Sequence, residues 1–347
     1  MAYRGAQTAV SDALVGVSVM PLDNRREVLV DVATTAERLG YDGYFLPETW
    51  AHDVTVLMAE AAVKTRRIVL GTGILGVWGR SAGTLAMGAS TLSAISGGRF
   101  VLGLGASTAQ LTEGLHDMPF VAPIARMRRT VTQVRALLRG ERIPLASASS
   151  ARPLKLNLTP AADLPIFLAA LTDESVRLAG ELADGWLPFM YPRRCLGQGK
   201  ALLQEGAARA GGGERRVAVY PSVPTVVSDD PKEARAGAAW FVSFYLTTMG
   251  PLYRRSLARQ GFEKEVEAVL AANTPRFAGA VPPEAEALLE ELTVFGTPAE
   301  ARARLSEWHA AGADMPAVFI RPNLSPEEIE RTLSAFTPML KSRQGAS

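Results

Sequence analysis

The sequence predicts an α/β protein: a closed (β/α)8 barrel, the TIM-barrel class, with insertions, as one domain over residues 1–347. Three observations carry this expectation. Eight apolar strand-like runs alternate with segments of helical spacing. The runs are continuous rather than alternating, as in strands buried on both faces, and a parallel sheet covered by helices buries both faces. Eight strand–helix units exceed the roughly five or six strands usual in an open doubly wound sheet.

The elements follow in order. Residues 13–20 form a short apolar run and read as a strand. Residues 26–40 carry Val28, Leu29, Val32, Ala36 and Leu39 at helical spacing, and Gly40 stops that helix. Residues 41–46 are an aromatic-rich strand, and 55–64 a helix. The strand 67–70 runs into Gly71, Gly73 and Gly76. An Ala-rich helix over 84–95 ends at Gly97 and Gly98, the strand 99–104 follows, and 123–139 is a long amphipathic helix. The alternation resumes with strand 165–171 and helix 173–183, then strand 185–190 and helix 200–210. Residues 217–227 are a strand, and 231–248 a helix that opens a mostly helical excursion to about 292. The last strand is 315–320 and the closing helix 326–340.

Three stretches interrupt the repeat: 107–122, 143–164 and 241–292. The first follows a strand, which puts it at the functional end of a barrel, where it could cover a ligand. The third could be a lid or a dimer surface, and a homodimer is expected. Gly211, Gly212 and Gly213 read as a turn.

Composition narrows the function. Hydrophobic residues make up 48% and charged residues 21%, which suits a soluble globular chain with a large core. A net charge of +2 gives no reason to expect nucleic acid or an anionic membrane as partner. Cys195 is the one cysteine, so neither an internal disulfide nor a Cys-ligated metal cluster can form. Residues 1–12 lack a basic stretch followed by an apolar run, and nothing approaches the ~18 apolar residues of a membrane helix, so a cytoplasmic location is expected. No metal site is expected: H-E-x-x-H and paired histidines are absent. A serine hydrolase elbow, G-x-S-x-G, is absent too.

Gly71-Thr-Gly73-Ile-Leu-Gly76 fits the dinucleotide fingerprint G-x-G-x-x-G after a strand. That fingerprint also needs a helix opening at once and an acidic residue roughly 20 positions on. The helix begins only near Thr84, and no Asp or Glu lies between Glu60 and Glu113. The glycines are therefore either a strand-end turn or a place where a flat ring lies against bare backbone. Their recurrence at Gly103 and Gly105 favours the ring.

The run Ser96-Gly-Gly-Arg-Phe-Val-Leu-Gly-Leu-Gly-Ala-Ser107 resembles the fourth-strand signature of the bacterial luciferase-like monooxygenases, above all their coenzyme F420-dependent branch. Arg66-Arg-Ile-Val-Leu-Gly-Thr-Gly-Ile-Leu75 is similar to their third strand, and residues 80–92 to the helix after it. Residues 165–185 resemble the fifth strand and its helix, and 295–314 a late segment. The likeness covers nearly the whole chain in the family's order.

The resemblance implies a flavin or deazaflavin held across the carboxyl ends of the strands. It implies a non-prolyl cis peptide at Gly73–Ile74, forming a bulge behind the ring. Gly103, Gly105, Ala106 and Ser107 then border the ring and its ribityl chain, and Ala170, Leu171, Thr172 and Ser175 bind the cofactor phosphate. Hydroxyls and free amides at the first turn of a helix suit such an anion. Asp173 would repel it unless it points away; capping is its other role. Arg126 and Arg128 stand where the family often places a phosphate-facing arginine, though arginines on an amphipathic helix are usually solvated. Arg66 and Arg67 precede their strand and fall at the opposite, stabilising end.

Catalytic candidates lie in Pro47-Glu-Thr-Trp-Ala-His-Asp53. Enzymes of the resembled type commonly carry an Asp-His or similar polar pair there. Here Pro47 and Glu48 hold the approximate positions and His52 lies further on. Glu48 is a candidate proton donor in an apolar pocket, or a hydrogen-bonding partner of a neighbouring strand end. His52 is of a type that titrates near neutral pH. Trp50 stacks on substrate or packs, and His116 could reach the site.

The expected function is F420-dependent hydride transfer with a small-molecule substrate: an alcohol, imine or activated alkene. The alternatives are an FMN-dependent monooxygenase, and a barrel that binds the cofactor without turnover.

Overall fold

The computed structural model describes residues 13–145, 150–211 and 215–341. The expectation for residues 1–12 falls outside them, as do Gly212 and Gly213 of the expected turn and residues 146–149 of the second excursion.

Eleven strands are described: β1 (Gly16–Val19), β2 (Gly43–Leu46), β3 (Val69–Thr72), β4 (Leu75–Gly76), β5 (Phe100–Gly105), β6 (Ile166–Leu168), β7 (Gly185–Trp186), β8 (Ala218–Val219), β9 (Ser222–Val227), β10 (Val294–Gly296) and β11 (Ala317–Ile320). The helices before the third excursion are α1 (Arg26–Leu39), α2 (Val54–Lys64), α3 (Ala82–Ser96), α4 (Ala109–Gly114), α5 (Pro123–Leu138), α6 (Asp173–Leu182) and α7 (Leu196–Arg209). Those leading into, within and after it are α8 (Pro231–Thr248), α9 (Pro251–Leu257), α10 (Glu263–Ala272), α11 (Glu286–Leu292), α12 (Pro298–Ala310), α13 (Pro326–Ser334) and α14 (Thr337–Lys341).

All strand pairs are parallel, in the order β10-β9-β11-β1-β2-β3-β5-β6-β7-β8. The ring closes because β8 and β9 are two halves of one passage. Tyr220 N–H donates to the Trp186 carbonyl at 2.9 Å, and Ser222 N–H to that of Pro188 at 3.1 Å. Pro221 lies between them and lacks an N–H, which breaks the expected strand 217–227 in two without breaking the wall. The eight expected staves are therefore present, as an α/β barrel. Two strands were not foreseen: β4 inside the glycine-rich turn, pairing with β5, and β10, pairing with the end of β9. The expected closing helix ends at Ser334 because Pro338 would clash with that residue's carbonyl, and a separate α14 follows.

The core has three parts. The largest packs strands against outer helices, and a second, with Phe241, Phe262, Leu288 and Leu289, fills the third excursion. The third plugs the barrel with Phe45, Phe167, Tyr220 and Met315. The Tyr220 ring lies 4.9 Å from Phe167 and 6.0 Å from Phe45, edge-on to both. A Cβ on Gly71 would fall on the Phe45 ring, so this glycine serves the plug rather than a ligand.

The end opposite the carboxyl termini is tied by backbone-directed charges. The Glu37 carboxylate accepts from the N–H groups of Arg66, Arg67 and Ile68 at 2.6–2.9 Å. Buried Arg99 donates to the carbonyls of Ala62, Thr65, Ile68 and Ser96. Among the described residues no helix is long and apolar enough to cross a membrane.

Candidate active site

A cavity of about 730 Å³ opens across the carboxyl ends of the strands. Its size falls within the range of small-molecule and cofactor sites. One wall is the turn from β3 to β4. The peptide Gly73–Ile74 is cis. Gly73 N–H donates to the Leu46 carbonyl at 2.9 Å, and Glu48 N–H to that of Ile74 at 3.1 Å, so the end of β2 brackets the turn on both sides. β4 then runs beside the end of β5, with Leu75 opposite Leu104 and Gly76 opposite Gly105. A Cβ on Gly105 would come within 2.6 Å of the Ile74 side chain. The missing side chain at 105 thus leaves Ile74 its place and leaves the wall bare. Ala106 and Ser107 continue it; Ser107 takes φ 60°, which a residue with a side chain rarely adopts.

A second wall is the loop from β6 into α6. Ala170, Leu171, Thr172 and Ser175 all line the cavity. Thr172 is the N-cap, and the Ser175 hydroxyl accepts from the N–H of Leu171 at 3.2 Å and of Thr172 at 2.9 Å. These donors are brought together, bonded to one another. Asp173 and Glu174 are exposed and outside the lining.

The remaining sides come from the excursions. Thr108, Gln110 and Leu111 belong to the first. Tyr245, Tyr253, Arg255 and Arg259 belong to the third. Tyr245 and Tyr253 lie edge-on, 5.4 Å apart, and Phe189 packs edge-on against both. Burial pushes the Tyr253 hydroxyl up to about 12 and that of Tyr245 well above its ordinary value, so both stay protonated at neutral pH. Sequence reasoning passed over these four residues and Tyr220. The tyrosines sit in apolar runs that look like core, and Arg255 and Arg259 in a stretch without the strand–helix repeat.

The other candidate residues stand outside the lining or are engaged by neighbours. Gly103 is outside the lining: a Cβ there would fall on the Thr72 carbonyl oxygen, and the Thr72 hydroxyl bonds the Gly103 N–H and carbonyl at 2.9 and 2.8 Å. His52 is also outside, its Nε2 3.0 Å from the Asn24 carbonyl. Glu48 does line the cavity, but its carboxylate is gripped by the Arg80 guanidinium and accepts from Val54 N–H at 3.0 Å. Both carboxylate oxygens are thus engaged. Arg126 and Arg128 turn elsewhere: Arg126 lies 5.3 Å over the Trp78 ring, and Arg128 pairs with Glu181. His116 packs exposed against Gly79 and Trp50 is exposed; neither is in the lining. Among the described residues no group of three or more His, Cys, Asp or Glu could hold a metal ion.

The donor set suits a flat ring with a polar tail. The bare wall at Gly105, the apolar interior and the hydroxyl-rich turn at 172–175 each meet one part of such a molecule.

The sequence model of the family described as luciferase-like monooxygenase matches residues 9–315. The chain is 31% identical over 312 residues to a Mycobacterium tuberculosis protein named "Putative coenzyme F420-dependent oxidoreductase", covering 83% of this chain and 89% of that one. In structure it is similar to the coenzyme F420-dependent tetrahydromethanopterin reductase of Methanopyrus kandleri, with TM-score 0.79 and 20% identity over 96% of this chain and 99% of that chain. It is also similar to the oxygenating constituent of 3,6-diketocamphane monooxygenase of Pseudomonas putida, solved with FMN, with TM-score 0.72 and 17% identity over 95% and 99%. At these identities the two structures speak for the fold alone.

Proposed function

The chain belongs to the luciferase-like monooxygenase family, and on that premise we propose that it is a coenzyme F420-dependent oxidoreductase acting on a small organic molecule: an alcohol, an imine or an activated alkene. The observation that carries the reading is the bare wall formed by Gly73–Ile74 and Gly105–Ser107 at the strand ends. The 31% identical relative supports F420 over FMN.

When bound, the deazaflavin supplies a hydride donor or acceptor. Ile74 and Gly105 shape the surface that receives the ring, and Ala106 and Ser107 border its side chain. Ala170, Leu171, Thr172 and Ser175 meet the phosphate at the first turn of α6, where the N-terminal end of a helix favours an anion. Glu48, locked to Arg80, holds the end of β2 against the 73–74 turn through its backbone N–H. Tyr245 and Tyr253, protonated at neutral pH, present hydroxyls that can donate to a substrate oxygen or nitrogen. Residues of α4 and α9 flank the mouth and limit water.

Titration of the purified protein with F420 and with FMN, followed by fluorescence, tests the reading. Tight F420 binding and weak FMN binding are expected. Tight FMN binding without F420 binding moves the assignment to an FMN-dependent monooxygenase. Binding with no redox change across alcohols, imines and alkenes moves it to a non-catalytic barrel.

A further inference from the structure

We propose that Arg255 and Arg259 form an anion clamp at the mouth of the cavity, holding a phosphate or carboxylate of the molecule bound there. The inference rests on the cofactor reading above but is carried by different residues.

Both arginines line the cavity and both are exposed at its mouth. They are four residues apart, Arg255 in α9 and Arg259 in the π-helical turn Ala258–Phe262 that continues it. Like charges at that spacing repel. Arg80, Arg128, Arg135 and Arg235 are answered by the carboxylates of Glu48, Glu181, Asp184 and Glu286, whereas Arg99 meets backbone carbonyls and Arg126 an aromatic ring. Among the described residues neither Arg255 nor Arg259 has an ion-pair or hydrogen-bonding partner on its side chain. The lining offers one carboxylate, Glu48, already neutralised by Arg80. The mouth therefore carries two uncompensated positive charges.

The helix that carries Arg255 is tied to the cavity wall. The Ser256 hydroxyl, next to Arg255, donates to the Leu171 carbonyl at 3.2 Å and pins α9 to the loop entering α6. That loop carries Thr172 and Ser175. Two guanidinium groups carried on the segment tied to that loop match the paired acceptors of a phosphate or carboxylate. The anion can belong to the phosphodiester and carboxylates of the deazaflavin coenzyme or to the substrate; the recognition chemistry is the same.

The experiment compares the wild type with R255Q/R259Q in fluorescence titrations against F420 and against its tail-free ring compound, which lacks phosphate and carboxylates. A loss of about tenfold in F420 affinity with the tail-free compound unchanged supports the clamp and assigns the anion to the cofactor. If both deazaflavins bind as before, the F420-loaded proteins are titrated calorimetrically with inorganic phosphate and with succinate. Binding by the wild type that the variant lacks supports the clamp and assigns the anion to the substrate. R255K/R259K, which keeps the charge, retains most of the affinity in either case. Equal affinities of wild type and R255Q/R259Q for every probe overturn the proposal, and so does an equal loss for F420 and the tail-free ring. If the wild type binds FMN but neither deazaflavin, the cofactor reading has failed. The clamp is then read on FMN against riboflavin, which lacks the phosphate, and an FMN preference unchanged in the variant overturns it.

Discussion

Gly103 and Gly105 stand two positions apart in the same strand, and in the sequence they are indistinguishable. Their surroundings separate them. The space a Cβ would take at 103 is filled by the Thr72 backbone, which cannot swing aside, whereas at 105 it is bounded by the Ile74 side chain. Gly103→Ala is expected to lower stability by roughly 2–3 kcal/mol or more, read as a fall in the urea midpoint. Gly105→Leu is expected to fold and to lose F420 binding, because the new side chain fills the wall. A folded Gly105→Leu protein with unchanged cofactor affinity refutes that placement. Glu48 and His52 teach the same lesson. The loop was legible as the place to look, but the partner of Glu48 is Arg80, 32 positions away, and spacing within one loop cannot disclose it. His52→Ala is expected to leave turnover essentially unchanged.

At the scale of elements, helix stops and starts were readable where a residue has one physical role. Gly40 ends α1 in the left-handed conformation, φ 96°, as its position after the last apolar residue suggests. Pro231 opens α8. Strand ends were less readable. The expected runs 165–171 and 185–190 continue past their strands: Ala169 and Leu187 still bond the neighbouring strand through their N–H groups, and the apolar residues there also line the cavity. The Glu37 carboxylate joins α1 to the entry of β3, and it makes a pH prediction. Burial alone would raise this carboxyl, but three backbone N–H donors outweigh burial and hold it below its ordinary 4.5. A carboxyl depressed by folding stabilises above that value, and the contribution fades as the pH falls through the lower folded value. Glu37→Gln is expected to cost ~1 kcal/mol at pH 7 after solvent screening, and the gap to wild type should narrow below pH 4.5. Denaturant melts at pH 7 and pH 3 check it.

For the whole molecule, the barrel was legible because eight buried strands leave an unmistakable pattern, and the family resemblance then pointed to the strand ends. The third excursion was not legible in function. Its tyrosines and arginines reach the cavity only through the way α8 and α9 fold back over the barrel. The homodimer remains a proposal that mass in solution decides: light scattering giving twice 37.0 kDa supports it, and 37.0 kDa rejects it. In the proposed function, one cavity, walled by Gly73–Ile74 and Gly105–Ser107, receives the deazaflavin. A crystal structure of the protein soaked with F420 tests it most directly. Ring density is expected within about 4 Å of Ile74 and Gly105, with the phosphate toward Thr172 and Ser175. Ring density elsewhere, for example in the open depression beside Trp78, Arg126 and Arg129, would contradict it.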